Sequence, residues 1–189
     1  MRAPLPPTGL LFAALALSPS ARAGDAAKPA PQMLPKPAPA LVDAFKGMTG
    51  TWACKGSFQK MDGGGTLAST STLVVTSTAD GFVYTGEVVV AKSPQFPTDI
   101  RQQFSWAYNA LTNKLVEFFG DNFGGVGQGT SDGLVGDTVI WDEDKVVMGK
   151  AARSRTSVKR IGPMEVALTF DFQFAGKWST AGTKSCKKQ

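Results

Sequence analysis

The segment "MEVALTFDFQF" near the end of the chain alternates apolar and polar residues with a period of two. Polar residues such as Glu165 and Asp171 separate apolar ones, which are Met164, Val166, Leu168, Phe170, Phe172 and Phe174. Successive side chains of a β-strand point to opposite faces, so this pattern predicts a strand with one buried and one solvated face.

Weaker versions of this alternation recur along the chain. Shared faces are formed by Trp52, Cys54 and Phe58 in "GTWACKGSF", by Phe82, Tyr84, Val88 and Val90 in "GFVYTGEVVV", and by Phe104, Trp106 and Tyr108 in "RQQFSWAYN". Further strands are predicted in "TLASTSTLVVTST", "KLVEFFG", "GLVGDTVIW", "KVVMGKA" and "RTSVKRI". The chain is therefore expected to be all-β.

Turn-forming residues separate these segments. They are Asp62-Gly63-Gly64-Gly65, Ala79-Asp80-Gly81, Asn109 to Asn113, Ser131-Asp132-Gly133, Asp142-Glu143-Asp144 and Gly162-Pro163. Eight to ten short strands joined mostly by hairpins predict an antiparallel sandwich or an up-and-down β-barrel.

The N-terminal part of the chain divides into three segments. Residues 1–23 have an arginine, a short apolar run and Ala21-Arg22-Ala23, the order of a cleaved secretory signal, and the run is too short to span a bilayer. Residues 24–40 are rich in Pro and Ala and predict an extended linker. Residues 41–189 are predicted to form the folded domain, which opens with a short helix in "ALVDAFKGM" that Gly47 or Gly50 can end.

The two cysteines set the expected closure of the sheet. An exported chain with only Cys54 and Cys186 most simply forms one disulfide between them, although two free thiols remain the alternative. Bridged residues need neighbouring Cα atoms, so the opening strand and the C-terminal segment should meet. This favours a closed barrel.

Gly50-Thr51-Trp52, which follows the predicted helix and opens the first strand, resembles the G-x-W signature of lipocalins and the wider calycin superfamily. The stretch "WAYNALTNKLVEFFGDNFGGVGQGTSDG" followed by "GDTVIW" is similar to a group of exported bacterial lipocalin-like domains whose function is not established. The resemblance spans about residues 41 to 186. It implies a lipocalin-like barrel whose tryptophan closes the base, and it implies little about function.

The sequence contains no histidine. This excludes histidine-dependent nucleophilic catalysis and histidine ligation of zinc, copper or haem, the mode by which haem-binding calycin relatives hold iron. Tyr84 or Tyr108 could hold haem, but a tyrosine on an apolar strand face is more typical of a barrel wall. No cofactor is therefore expected.

Acidic residues offer two further interpretations. Asp121, Asn122 and Asp132 flank a glycine-rich run and could hold a cation, but turn capping is favoured, and no metal site is expected. Asp142, Glu143 and Asp144 are assigned to a solvated turn, whereas Glu87 and Glu117 are isolated on strands. We therefore do not expect an enzyme.

Aromatic residues dominate the predicted interior. The expected ligand-binding residues are Trp52, Phe58, Tyr84, Phe104, Trp106, Tyr108, Phe170 and Phe172. Phe82, Phe118, Trp141 and Phe174 are also assigned mostly to buried faces, although the adjacent Phe118 and Phe119 cannot both point inward. A barrel of this size either holds one small ligand or is filled by its own side chains, and the sequence leaves both alternatives open.

Two functions follow from this interpretation. The first is an exported, periplasmic or secreted barrel that binds a small apolar or amphipathic molecule in an aromatic-lined cavity. The second is a filled barrel that binds an envelope protein, with the Pro-rich linker as spacer. Removing residues 1–23 leaves 18 basic against 15 acidic residues, a net charge of +3 without a basic stripe, so no nucleic-acid partner is expected.

Overall fold

The computed structural model describes residues 36–60, 63–94 and 96–189. The predicted signal at 1–23 and most of the predicted linker lie outside these residues. Within the described ranges, no helix is long and apolar enough to cross a membrane.

A short helix precedes a series of β-strands. The helix α1 spans Pro39–Phe45, and Gly47 follows it with a positive φ of 79°. The strands are β1 Gly50–Gln59, β2 Thr66–Thr78, β3 Val83–Val90, β4 Ile100–Asn109, β5 Lys114–Asp121, β6 Val126–Ser131, β7 Leu134–Val135, β8 Thr138–Val147, β9 Lys150–Gly162, β10 Glu165–Phe174 and β11 Lys177–Lys188. A single 3₁₀ turn, Ala79–Gly81, joins β2 to β3.

The strands close into a ten-stranded antiparallel barrel. Neighbours in sequence pair from β1 to β6 and from β8 to β11, β6 pairs with β8, and β11 pairs with β1. The two-residue β7 pairs only with the start of β8. The predicted all-β barrel of eight to ten strands with a short N-terminal helix is confirmed.

The seam between β1 and β11 contains the disulfide. Cys54 and Cys186 are directly opposite each other, with Cα atoms 3.9 Å apart, and their sulfurs are bonded. Both residues are buried in the interior, together with Val166 on the next strand. The predicted meeting of the opening and closing strands is thus confirmed.

The barrel has two distinct ends. We call the end that carries α1 the base and the opposite end, which carries the β1–β2, β3–β4, β5–β6, β8–β9 and β10–β11 connections, the mouth. Leu41, Ala44 and Phe45 of α1 are buried against the strands. The helix therefore covers the base of the barrel and packs its apolar side chains against the strands.

Glycines on the inner face make room for large side chains from adjacent strands. A Cβ on Gly86 would lie 2.4 Å from Phe104, and one on Gly182 would lie 2.3 Å from Phe58. The rings therefore lie flat across the neighbouring strand, which is how aromatic residues fill a barrel wall next to glycine.

One predicted turn is wrong. Asp142, Glu143 and Asp144 lie within β8, and the chain reverses instead at Met148–Gly149. Asp142 and Asp144 point outward and pair with arginines of β9, whereas Glu143 points inward and is buried. The acidic run stays extended because each of these carboxylates has a partner on an adjacent position of the sheet.

We expect the Cys54→Ala/Cys186→Ala double variant to be markedly less stable than the wild type. The disulfide spans 132 residues, and the chain-entropy relation assigns such a loop about 5 kcal/mol, of which real disulfides deliver part. Urea unfolding should give a free energy of unfolding about 2 to 5 kcal/mol lower. An unchanged unfolding midpoint would show that the seam does not depend on the covalent link.

Candidate binding site in the barrel lumen

Stacked aromatic rings fill the base of the barrel. The Phe45 ring of α1 lies parallel to that of Trp106 with centroids 4.6 Å apart, and it also packs on Tyr84 at 5.1 Å and Trp141 at 6.3 Å. Phe104 packs on Trp106 at 4.3 Å. These side chains are buried and form one hydrophobic cluster.

Little space remains beneath the helix. The void bounded by Phe45, Trp106 and Trp141 has a volume of about 10 Å³, which is at the lower limit for a single water molecule. The expected binding residues Trp52, Tyr84 and Phe104 belong to the same packed cluster. The base is therefore a hydrophobic core, which is the filled alternative left open by the sequence.

Trp52 links the turn that follows α1, the first strand and the last strand. Its indole Nε1 donates a hydrogen bond to the carbonyl oxygen of Met48 at 2.8 Å. The Lys188 ammonium lies 5.6 Å from the Trp52 ring and donates to the carbonyl oxygen of Gly47 at 2.9 Å. Trp52 thus closes the base of the barrel.

Tyr108 lies at the edge of this cluster. It is half-buried, and its hydroxyl donates to Asn113 Oδ1 at 3.0 Å in the turn after β4. The Tyr108 hydroxyl therefore already has a hydrogen-bond partner, in the β4–β5 turn at the base.

A second group of rings lies toward the mouth. Phe58 and Phe170 pack with centroids 5.2 Å apart, and Phe172 and Phe119 lie on either side of the Lys145 ammonium at 4.6 and 5.7 Å. All four rings are half-buried although they point inward. These rings therefore line the inner wall of the barrel near its mouth.

The other aromatic residues that are predicted to be buried differ in the face of the barrel wall on which they lie. Trp141 is buried in the base, as expected. Phe118 points outward with 56% of its surface exposed, and Phe174 is 64% exposed at the mouth, so their assignment to a buried face is wrong. Phe119, the neighbour of Phe118, takes the inward position.

Between the base and the mouth, the lumen contains two carboxylates. Glu117 on β5 and Glu143 on β8 are only 7% and 5% exposed. Glu143 Oε2 accepts hydrogen bonds from Lys145 Nζ at 2.9 Å and Ser154 Oγ at 2.6 Å. Glu117 Oε2 accepts one from Trp106 Nε1 at 3.0 Å.

A glycine between the two acids lets them approach each other. Gly129 on β6 pairs with Glu117 on one side and with Glu143 on the other. A Cβ at this position would lie 2.6 Å from Glu117 Oε1. Gly129, in the glycine-rich run between Asp121 and Asp132, thus provides room for a carboxylate.

Glu117 is the unusual member of this layer. Burial, followed by the negative charge of Glu143, raises the pKa of Glu117 from 4.5 to about 8. Its Oε1 and the Nε1 of Trp141 are buried and have no hydrogen-bond partner within the described part of the chain. This level of the lumen therefore contains an acid that is protonated at neutral pH and has one unused oxygen, and the Trp141 nitrogen without a partner belongs to the base below it.

A lysine lies on the opposite wall. Lys184 on β11 is 6% exposed, and its Nζ donates to Ser71 Oγ at 2.8 Å and lies 5.3 Å from the Phe58 ring. Burial lowers the pKa of Lys184 from 10.5 to about 8. We call Glu117, Glu143, Lys145, Ser154, Ser71 and Lys184 the polar layer.

The polar layer offers a neutral acid, an ion pair and an amine within one apolar lumen. Such groups can accept hydrogen bonds from or donate them to the polar end of a small molecule, while the rings near the mouth can contact its apolar part.

The acids that flank the glycine-rich run lie outside this layer. Asp121 Oδ1 accepts hydrogen bonds from the backbone N–H groups of Phe123 and Gly125, which confirms turn capping there. Asp132 forms an exposed ion pair with Lys114.

Sequence reasoning misses the polar layer. The sequence pattern leaves Glu117 isolated, predicts a turn at Glu143 and does not single out Lys184. The alternation of side chains contains the information that these residues point inward. Glu117 lies two residues from Leu115 and from Phe119, and Lys184 lies two residues from Cys186, so they share the inward face of their strands.

Comparisons with known proteins support the fold. The crystal structure of Rv2717c from M. tuberculosis matches with a TM-score of 0.58 and 10% identity, covering 82% of this chain and 99% of that chain. A de novo designed fluorescence-activating β-barrel matches with a TM-score of 0.43 and 13% identity over 78% of this chain and 99% of its own. The first likeness shows a shared fold alone, and the second is too weak to carry an argument. No protein-family model matches the sequence, and no curated protein matches it.

We expect stability to fall as the pH rises from about 5 to about 8. The folded state holds a proton on Glu117 up to about pH 8, whereas the unfolded chain releases it near 4.5, so the unfolded state binds fewer protons in this window. Glu117→Gln should remove most of this loss, about 2 to 4 kcal/mol at pH 8. The measurement is urea unfolding at several pH values.

The control for this experiment is Glu87→Gln, which neutralises an acid that pairs with Arg101 at the partly exposed outer surface. It should leave the slope of stability against pH as in the wild type. A Glu117→Gln profile that follows the wild-type profile would contradict the burial of a protonated Glu117.

Proposed function

We propose that this protein is an exported barrel that binds a small amphipathic molecule through the mouth. The polar end of the ligand would reach the polar layer, and its apolar part would pack on Phe58, Phe119, Phe170 and Phe172. The observation that carries the proposal is the placement of buried ionisable groups with unused hydrogen-bonding atoms beneath half-buried inward rings.

The energetics of the polar layer support a ligand. A buried carboxylate or ammonium loses several kcal/mol of hydration, and an apolar replacement of the same volume is often neutral or stabilising. A barrel selected only for stability would therefore fill this level with aliphatic side chains, as it does at Val139 and Leu115 nearer the base. Acids and lysines at this level indicate a use other than stability.

The layout of the lumen favours an amphipathic ligand over a purely apolar one. A purely apolar molecule would leave Glu117 Oε1 without a partner, and an unpaired buried polar atom costs about 1 to 3 kcal/mol. A ligand with one polar end could satisfy this oxygen. Small-molecule sites commonly combine apolar walls with a few such polar groups.

The proposal includes export and a calycin relationship. The predicted signal and the Cys54–Cys186 disulfide both suit an oxidising compartment, either the periplasm or the extracellular space. The position of Trp52 at the base suits a calycin-type G-x-W motif. We assign binding and no catalysis to the lumen.

A second candidate function, a protein-interaction module of the cell envelope, rests on the filled base. The rings beneath α1 leave about 10 Å³, so the barrel interior beneath the helix offers no room for a ligand. The outer wall also exposes large apolar side chains, among them Phe118, Val126 and Ile140. This candidate assigns binding to the outside of the barrel.

We expect Phe172→Ala to weaken ligand binding about tenfold, because it removes an inward ring that contacts the apolar part of the ligand. The matched control is Phe118→Ala, which removes an outward ring and should leave the affinity unchanged. A suitable probe is cis-parinaric acid, an amphipathic fluorophore, titrated into purified protein.

The two variants also separate the two candidate functions. Loss of probe affinity only in Phe172→Ala supports lumen binding. Equal loss in both variants, or no saturable binding by the wild type, would contradict lumen binding and favour the interaction module.

A further inference from the structure

The surroundings of Lys184 differ from those of the other inward charges. The strand register places Ser69, Gly56 and Lys184 in one row across β2, β1 and β11. A Cβ on Gly56 would lie 2.7 Å from Lys184 Cα and 2.8 Å from its Cγ. The Lys184 side chain therefore lies across the backbone of Gly56, which has no side chain, and its amine donates a hydrogen bond to Ser71 on β2.

This amine has no ion-pair partner in the part of the chain that the structure describes. The inward neighbours of Lys184 on β1 and β10 are Cys54, Phe58, Leu168 and Phe170, which do not ionise or are disulfide-bonded. Within the described ranges, Lys184 forms no ion pair, whereas Lys145 is paired with Glu143 at 2.9 Å. A lysine is rarely buried without a paired charge unless it has a chemical role.

Two hydroxyls accompany the amine. Ser71 Oγ receives its hydrogen bond at 2.8 Å. Ser69 Oγ, one row closer to the mouth on the same strand, is buried and has no hydrogen-bond partner among the described residues. An amine and two hydroxyls, one of them unused, thus face one part of the lumen.

We propose that Lys184 forms an imine with an apolar aldehyde or ketone that enters through the mouth. This inference rests on the proposed function and names the ligand class. The carbonyl carbon would meet Lys184 Nζ, the carbonyl oxygen would meet the serine hydroxyls, and the apolar body would pack on Phe58 and Phe170.

The reaction needs no oxidant or reductant. The lone pair on neutral Nζ attacks the carbonyl carbon, a C–N bond forms, and the π electrons move to oxygen. The oxygen gains a proton as nitrogen loses one, which gives a carbinolamine. The hydroxyl then takes up a proton and leaves as water, while the nitrogen lone pair forms the C=N bond.

The state of the amine suits this chemistry. A lysine attacks only as the neutral amine. With its pKa lowered to about 8 by burial, roughly one Lys184 in ten is neutral at pH 7, against about one in three thousand for an ordinary lysine. Ser69 and Ser71 can donate hydrogen bonds to the oxygen and pass protons between it and nitrogen.

The test is reductive trapping of the imine at pH 7. The full chain is incubated with 6-methoxy-2-naphthaldehyde and sodium cyanoborohydride, which converts the imine to a stable secondary amine, and the labelled lysine is located by peptide mass spectrometry. Lys184 should react at least about tenfold faster than the exposed Lys187, because burial lowers the pKa of Lys184. Labelling spread evenly over the surface lysines would overturn the proposal.

Two substitutions at the site sharpen the test. Lys184→Met removes the amine, and Lys184→Arg keeps a positive charge and a donor without forming an imine. Both should lose the fast labelling. Lys187→Met, on the same strand but outward, should retain it, and circular dichroism confirms that each variant is folded.

A matched alcohol separates this proposal from the proposed function. 6-Methoxy-2-naphthalenemethanol has the same ring system but cannot form an imine, and its binding is followed by quenching of tryptophan fluorescence. Saturable binding of the alcohol without selective labelling by the aldehyde would overturn imine formation and leave lumen binding supported. Absence of both would contradict lumen binding and imine formation together.

Discussion

The pairing of β1 with β11 is the constraint on which the rest of the structure depends. Once the two ends of the sheet meet, every second side chain faces one common interior, and each of the ten barrel strands in the described part of the chain has a partner on both sides. The Cys54–Cys186 bond lies at the middle of this seam and faces inward. Closure therefore decides both which residues are core and which residues surround the lumen.

The lumen is organised in levels along the barrel axis. The base is a dry cluster in which α1 supplies Phe45 to rings from the strands. The polar layer follows, where Glu117 and Glu143 face a wall containing Lys184. The half-buried rings of Phe170 and Phe172 lie nearest the mouth. Apolar packing at the base thus offsets the loss of stability caused by the buried charges of the polar layer.

Much of this architecture follows from local sequence pattern. The alternation from Val166 to Phe174 and the positions of the two cysteines are sufficient to predict the barrel, because side-chain period and chain closure are local or pairwise constraints. The polar layer is not predicted, since the identity of neighbours across a barrel depends on strand register. Glu117 and Glu143 approach each other across β6 only because the residue between them, Gly129, has no side chain. The acidic run around Glu143 also has the composition of a turn, and only tertiary pairing keeps it extended.

The most direct test of closure and burial is the titration of Glu117 and Glu143 by carbon-13 NMR of their side-chain carboxyl groups. These residues lie on strands β5 and β8, and they share one buried site only if β6 joins the two halves of the sheet. We predict that the Glu117 carboxyl is still protonated at pH 7 and that its titration depends on the charge of Glu143. Independent titration of Glu117 near its ordinary pKa of 4.5 would show that the two acids do not share a buried site.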